Sequence, residues 1–449
     1  MRSIDRASID YDEAPLRTFH LKVAVASTGG VFADGFGIGI IGISLALATP
    51  ELGLNALWTG LIGAGSLAGL FAGALWAGPV ADRHGRRTIF AYNMLIAAAL
   101  SVLQYWVASG LQLLLVRGAI GCVLGTDYVV SKTLLTEYVP RRMRGRILGT
   151  LSVAWAGGYA VAYGCGVALS GLGPHAWRTM LLVSALPCLG IGPFRLMIPE
   201  SPLWLANHGF LERAARVVKR TMGEAVRPPM PAVRSVKHLT RWKELFSPRW
   251  RHRTLVGCIF FACQVLPYFA VGTFVAQVLK ALHLKGNFAG GLIYNLALFL
   301  GAIAGLLIVD RISRRLFLIG SFASAGVAML ILSLSSSLPA ALTVLLFAIF
   351  AGILSAASNL VYVYLPELFP TRLRASGIGV AIATSRVASA TGTFLLPLVM
   401  SGYGVRTALA ACVVVLAFGA LFCYRWAPET RGVSLESIDQ ESSAGAGWG

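Results

Sequence analysis

The sequence predicts an all-α integral membrane protein, twelve transmembrane helices in two six-helix pseudo-symmetric halves. Three observations predict it. The 449-residue chain is 56% hydrophobic and 13% charged, where a soluble domain carries about 25% charged residues. Its apolar residues fall in long runs, and about 20 of them suffice to cross a bilayer. Its punctuation also repeats after about 230 residues. Asp82-Arg83-His84-Gly85-Arg86-Arg87 returns as Asp310-Arg311-Ile312-Ser313-Arg314-Arg315. Glu137-Tyr138-Val139-Pro140 returns as Glu367-Leu368-Phe369-Pro370, and Pro199-Glu200-Ser201 as Pro428-Glu429-Thr430. Every copy stands where an apolar run ends. Two similar hydrophobic halves point to a transporter with a site between them.

The expected spans are 20–47, 56–81, 88–108, 111–136, 147–170, 177–198, 254–279, 288–309, 316–335, 338–364, 377–400 and 405–426. They divide the chain into a tail (1–19), a first bundle (20–198), a linker (199–253), a second bundle (254–426) and a closing tail (427–449). Glycines scattered through the spans fit membrane helices that approach closely through small residues. Residues 1–19 carry Asp5, Asp10, Asp12 and Glu13 and no cleavable apolar segment, so they read as a cytoplasmic tail. In the linker, Phe210-Leu211 and Val217-Val218 stand among Arg213, Arg216, Lys219 and Arg220. That is the pattern of an amphipathic helix at the membrane interface. Pro228, Pro229 and Pro231 then break helical structure. The tail after Glu436, rich in Ser, Gly and Ala, is expected to be disordered.

The net charge of +19 does not mark a nucleic-acid surface, because the charges sort by side. Arg83, Arg86, Arg87, Arg141, Arg142, Arg144, Arg146, the basic linker, Arg311, Arg314, Arg315, Arg372 and Arg374 all fall on one side of the expected bilayer. The opposite loops hold only Arg178, Lys280, Lys285 and Arg406. This asymmetry places the termini and the linker in the cytoplasm, with the basic excess drawn to anionic headgroups. The seven cysteines are scattered through apolar spans without C-x-x-C spacing, and no histidine pair has ligand spacing. Neither a disulfide framework nor a metal site is expected. No cofactor is expected, and no phosphate loop, paired metal ligands or serine–histidine arrangement points to an enzyme.

Gly78-Pro79-Val80-Ala81-Asp82-Arg83-His84-Gly85-Arg86-Arg87 resembles the loop-two motif of the major facilitator superfamily. Pro199-Glu200-Ser201-Pro202-Leu203-Trp204-Leu205 and Pro428-Glu429-Thr430-Arg431-Gly432 resemble the half-terminating motifs of its sugar-porter branch. Tyr362-Val363-Tyr364-Leu365-Pro366-Glu367-Leu368-Phe369-Pro370-Thr371-Arg372-Leu373-Arg374 and Gly125-Thr126-Asp127-Tyr128 are similar to proton-coupled symporters of phosphate, nicotinate and aromatic acids. The resemblance covers roughly residues 20–435. It departs in two places. Sugar porters usually have Arg at the position of Leu203. The symporters' D-x-[YF]-D reads Asp34-Gly35-Phe36-Gly37 here, so its second carboxylate is missing.

An ionisable residue inside a span costs at least about 2.5–3.5 kcal/mol on insertion scales. The spans nevertheless keep Asp34, Arg117, Asp127, Lys132 and Arg386. Asp34 lies roughly 21 Å and Arg386 roughly 14 Å along their helices, both near mid-bilayer. Asp34 and Asp127 are the expected proton-coupling carboxylates. A structural ion pair of Asp127 with Lys132 or Arg117 is the alternative, although offsets of about 140° and 80° make it awkward. Arg386 and Arg117 are expected to hold an anionic substrate group, or else to neutralise carboxylates and carbonyls. Gln264, Tyr268, Tyr294, Asn295, Asn359 and Tyr362 are further substrate candidates, and such residues also serve as interhelical glue.

The resemblance implies that the charged motifs bridge helices at the cytoplasmic face. Asp82, Arg83, Arg86, Arg87, Glu137, Arg144 and Glu200 in one half match Asp310, Arg311, Glu367, Arg374, Glu429 and Arg431 in the other. The expectation is a gate between halves, held by charge pairs when the cavity faces outward. The expected function is proton-coupled secondary transport of a small organic acid, by a monomer in a bacterial inner membrane. A sugar or polyol symporter, a proton-antiport exporter and a non-transporting nutrient sensor are the alternatives.

Overall fold

The computed structural model describes residues 9–230, 244–284, 286–335 and 338–431. Among them twelve helices are long and apolar enough to cross a membrane. The first half comprises α1 (Thr18–Glu51), α2 (Ala56–His84), α3 (Arg86–Leu103), α4 (Gly110–Tyr138), α5 (Arg141–Leu169) and a sixth span split into α6 (Ala176–Val183) and α7 (Ala185–Leu196). Two short helices follow, α8 (Pro202–Asn207) and α9 (Leu211–Thr221). The second half begins with α10 (Arg251–Thr273), prolonged by α11 (Val275–Ala281). It continues through α12 (Asn287–Ile308), α13 (Arg314–Leu334) and α14 (Ala340–Ala357), prolonged by α15 (Leu360–Glu367). It ends with α16 (Thr371–Tyr403) and α17 (Val405–Trp426).

Three spans that read as continuous are broken. The breaks fall at Ser184, Phe274 and Ser358–Asn359. At two of them a serine hydroxyl bonds back into its own helix, Ser184 to the Leu181 carbonyl at 2.5 Å and Ser358 to the Ser355 carbonyl at 2.6 Å. Such bonds compete with the helical ladder and bend it. The third break leaves Phe274 outside helical geometry, with φ −109° and ψ 21°.

Backbone contact through glycine sets the packing. A Cβ at Gly121 of α4 would overlap the Ser66 carbonyl of α2, and one at Gly125 would overlap the Leu70 carbonyl. Gly301 of α12 meets the backbone of Gly352 of α14 in the same way. Each half therefore has a pair of helices at backbone-to-backbone distance, which only small residues allow.

The halves meet differently at their two ends. Opposite the charged motifs, Gly42 of α1 lies against the Thr273 carbonyl, and the Phe394 carbonyl lies 2.5 Å from where a Cβ of Gly60 would sit. The Phe274 ring comes within 2.6 Å of the corresponding point on Gly63. Nearer the motifs the connection runs through side chains, with Ser152 of α5 donating to Asn359 Oδ1 at 2.9 Å.

The opening tail is docked, not free, over its described residues. Tyr11 donates to the Glu137 carbonyl at 2.7 Å, and Arg144 pairs with Asp12 at 3.0 Å. Ile9 bridges to Val226, so residues just before α1 and just after α9 are held together. The linker stretch read as amphipathic holds α9, which buries Ala214, Val218 and Thr221, while Phe210 and Leu211 stay exposed. Of the sequence expectations, Pro231 with the basic residues Arg234, Lys237, Arg241 and Lys243, Lys285, Gly432 and the tail after Glu436 lie outside the described residues.

Gly121→Val adds a Cβ and two methyls where α2 and α4 touch backbone to backbone. Overpacking of this kind costs about 1–3 kcal/mol. Thermal unfolding of the purified variant is expected to begin several degrees below wild type, whereas Gly118→Ala, which meets open space, leaves it unchanged.

Candidate functional site

A cavity of about 90 Å³ lies between the two halves, several times the ~10–15 Å³ that one water needs. The first half contributes Asp34 from α1, Tyr128 from α4, and Ser152 and Trp155 from α5. The second contributes Gln264, Tyr268 and Phe269 from α10, Tyr362 from α15 and Arg386 from α16. Five residues expected from the sequence thus share one wall-to-wall space: Asp34, Gln264, Tyr268, Tyr362 and Arg386.

Asp34 is 2% exposed, and neither carboxyl oxygen has a hydrogen-bond partner among the described residues. Its helix is held there by Gly35, whose missing side chain lets the Trp155 carbonyl of α5 approach. A charge so placed has no hydrogen bond to stabilise it, and Arg195, the nearby cation that acts on it, is already paired with Asp127.

Asp127 is placed differently. It points away from the cavity into a fully buried pair with Arg195 of α7. One guanidinium nitrogen contacts Oδ1 and the other donates to Oδ2 at 3.0 Å. Ser131 donates to Oδ2 at 3.0 Å, and Arg195 also donates to the Ala26 carbonyl at 3.1 Å. The group ties α1, α4 and the sixth span together. Neither Lys132 nor Arg117, the partners considered from sequence, pairs with Asp127. Helical offset explains this, since both would have to reach around α4, whereas Arg195 arrives from a facing helix. Arg195 was missed because it lies near the end of an expected span, where arginines ordinarily reach out to water.

Arg117 is also fully buried outside the cavity, donating to the Gly37 carbonyl at 2.9 Å with Nε and Nη1 unpartnered. Tyr294 and Asn295 are buried within α12 away from the cavity, and Asn295 bonds its own helix at Gly291. Asn359 braces the break between α14 and α15, donating to Ala302 and Ala356 and accepting from Ser152. Gln264 donates to the Leu354 carbonyl at 3.1 Å and leaves its carbonyl oxygen free.

Sequence reading named Tyr268 and Tyr362 but missed Trp155, Phe269 and the serine hydroxyls of the lining. Trp155, Phe269 and Tyr268 form a ring-on-ring cluster with centroids 5.2–6.2 Å apart. Nothing in spacing distinguishes such residues from lipid-facing ones. Lys132 sets its ammonium 3.6 Å from the Tyr128 ring centre and 4.6 Å from that of Tyr362 in the other half. The Arg386 guanidinium lies 5.1 Å from the Tyr128 ring. A desolvated cation–π contact is worth about 2 kcal/mol, less than the insertion cost of the cation itself.

The charged motifs form two clusters with one plan. In the first half, Arg86 pairs with Glu137 at 2.9 Å and Asp82 at 3.2 Å, while Glu200 accepts from the backbone of Arg86 and Arg87 at the start of α3. Gly85 makes that turn with φ +94°, and a Cβ there would overlap the Glu200 carboxylate. In the second half, Arg314 pairs with Asp310 at 3.1 Å and lies 3.6 Å from Glu367. Glu429 accepts from Ser313 and from the backbone of Arg314 and Arg315 at the start of α13, and from the backbone of Arg431 in its own segment. Arg374 donates to the Pro366 carbonyl, and Arg83 and Arg311 are exposed at the rims. The expected pairs between halves are therefore not formed among the described residues of this structure. Each carboxylate is held by the helix start of its own half, where backbone N–H groups and the helix dipole favour it.

A family model described as sugar (and other) transporter matches residues 22–441. The inner membrane metabolite transport protein YgcS of Escherichia coli (strain K12) is 36% identical over 433 residues, 96% of this chain and 96% of its own. The niacin transporter NiaP of Acinetobacter baylyi (strain ATCC 33305 / BD413 / ADP1) is 26% identical over 440 residues, 95% of this chain and 98% of its own. Among solved structures, the xylose transporter XylE from E. coli, in a partially occluded inward open conformation, superposes with a TM-score of 0.77. It is 18% identical, with 93% of this chain and 100% of that chain covered, a likeness of fold.

Removing Arg195 leaves the Asp127 carboxylate buried and unpaired, a change that typically costs about 3–5 kcal/mol. Arg195→Gln is expected to unfold at much lower temperature than wild type, and the double change Arg195→Leu with Asp127→Leu to recover most of the loss. A second outcome concerns pH. Burial alone would raise the Glu429 carboxyl, but the hydrogen bonds from Ser313 and from the backbone of Arg431, Arg315 and Arg314 outweigh it and hold it below the ordinary value of 4.5. A lowered carboxyl stabilises the fold above its unfolded value and loses that contribution as pH falls through its folded value. The thermal stability of Glu429→Gln should therefore lie below wild type at pH 7 and converge with it as pH falls below the ordinary carboxyl value and through the lowered one.

Proposed function

The chain belongs to the sugar (and other) transporter family of the major facilitator superfamily, and on that premise we propose that it is a proton-coupled carrier of a small organic acid. It is an integral membrane transporter of the sugar and metabolite type, not an enzyme. One observation carries the finer reading: Asp34, unpartnered, and Arg386, with its Nε unpartnered, line one cavity between the halves. A guanidinium suits a carboxylate, and an isolated acid in the same space suits a proton.

In the proposed cycle the solute's anionic group is held at Arg386 while Asp34 takes a proton. Neutralising Asp34 removes its need for water, so the halves close over the loaded cavity. Opening on the other side rehydrates Asp34, and the proton leaves with the solute. Asp127 has a smaller part in this scheme, since Arg195 already balances it and its change of charge would break a structural pair. Arg117 likewise acts from behind α1, through the Gly37 carbonyl.

The basic end of the molecule is proposed to face the cytoplasm of a bacterial inner membrane, with anionic headgroups around it. The protein is proposed to act as a monomer, since the cavity is complete within one chain. The charged clusters are proposed as the cytoplasmic gate, exchanging partners between halves in the outward-facing state. A sugar or polyol substrate is the second reading. It is favoured by the free Gln264 carbonyl and by the Ser355 and Ser358 side chains that also line the cavity.

Uptake into proteoliposomes, with and without an acid-outside gradient and with carboxylates and hexoses in competition, tests both readings. A carboxylate is expected to be accumulated by the gradient. Asp34→Asn is expected to abolish accumulation while keeping solute exchange at equal pH. Accumulation by Asp34→Asn with the wild-type pH profile would falsify the role given to Asp34.

A further inference from the structure

Lys132 is a cation within a spanning helix, and the titratable neighbours that act on it are Tyr128 and Arg386, with no carboxylate beside it among the described residues. Tyr128 lies one turn away on α4. Tyr362, the other ring beneath its ammonium, belongs to the second half. Arg386, also of the second half, approaches the same Tyr128 ring. Two cations, one from each half, thus converge on one tyrosine at the cavity wall. Aromatic faces carry only a quadrupole, so they balance a cation less well than a carboxylate does. The corner is short of negative charge: Tyr128, Tyr362 and Arg386 line the cavity, and Lys132, not itself a lining residue, lies against the two tyrosine rings.

Resting on the organic-acid reading, the geometry points to Lys132 as the second cation of an anion site shared with Arg386, for which the solute's carboxylate competes with the Tyr362 ring. A full negative charge displaces the ring because charge-assisted hydrogen bonds are the stronger contact. The exchange has a mechanical consequence. Without solute, Lys132 and Tyr362 hold α4 to α15, beside the Ser152–Asn359 hydrogen bond that joins α5 to the same break. Carboxylate binding frees that contact and loosens the halves on the side of the charged motifs. The solute class is a carboxylate whose body fits among Trp155, Tyr268 and Phe269. A neutral sugar has no group to exchange for the ring.

Isothermal titration of the purified full-length protein with benzoate, succinate and glucose tests the assignment in wild type, Lys132→Gln, Lys132→Arg, Tyr362→Leu and Arg386→Gln. A carboxylate is expected to bind wild type, about 10- to 100-fold more weakly to Lys132→Gln, and within about threefold of wild type to Lys132→Arg. Tyr362→Leu is expected to bind it severalfold more tightly, because the competing ring is gone. A carboxylate that loses affinity for Arg386→Gln, keeps it for Lys132→Gln and is bound no more tightly by Tyr362→Leu overturns the role of Lys132 and leaves the organic-acid reading standing. Glucose binding without binding of either acid overturns that reading, and the anion site with it. If Lys132→Gln does not fold, Tyr362→Leu decides: tighter binding supports the competition, and weaker binding refutes it.

Discussion

The buried pair of Arg195 and Asp127 is the constraint on which the rest of the first half depends. Two full charges, each with no exposed surface, persist in the membrane only because their geometry is closed. Ser131 completes the carboxylate, and the Ala26 and Phe90 carbonyls take the remaining guanidinium hydrogens. Those carbonyls belong to α1 and α3, so the pair fixes four spans at one depth. It also leaves Asp34 alone. With Arg195 committed to Asp127, Asp34 has no paired cation among the described residues, and its ionisation is left to Arg386 across the cavity and to water or solute within it.

The two halves repeat a plan with different chemistry. A carboxylate sits on the start of α3 and of α13, but the turn that receives it differs. Gly85 reaches a positive φ and makes room for Glu200, whereas Ser313 keeps φ negative and donates its hydroxyl to Glu429. A tyrosine hydroxyl ties each cluster to the chain that leaves the bundle. In the first half it is Tyr138, bonded to the Pro199 and Glu200 carbonyls. In the second it is Tyr364, bonded to the Pro428 carbonyl from one turn earlier, because Leu368 stands where the repeat would put the tyrosine. Similar mechanics can therefore be kept while the residues that deliver them drift.

The contacts between halves are unequal at the two ends, and the inequality has a direction. Opposite the motifs, glycine lets backbone meet backbone, and separation there would undo many small dispersion contacts at once. Near the motifs the halves touch through side chains, Leu306 against Gly149 and the polar contacts of Ser152 with Asn359 and Lys132 with Tyr362. Among the described residues the charged clusters below close on themselves and place no further ion pair across the gap. A structure held this way yields at the motif side first.

Much of the architecture was legible in the chain because the bilayer imposes length and polarity on each span. The twelve helices, their doubling and the basic asymmetry follow from apolar runs and from where charges are tolerated. The site was legible only in part. Asp34 and Arg386 stood out because an ionisable residue in mid-span is expensive, and both line the cavity. Asp127 stood out for the same reason yet belongs to a structural pair, and cost alone does not separate the two cases. Trp155 and Phe269 carried no signal, since an aromatic residue in an apolar run is as favourable against lipid as against a solute. Partners, cavity walls and breaks are relations between helices distant in sequence. One-dimensional order prescribes what each helix must bury, and only the packed bundle decides against what.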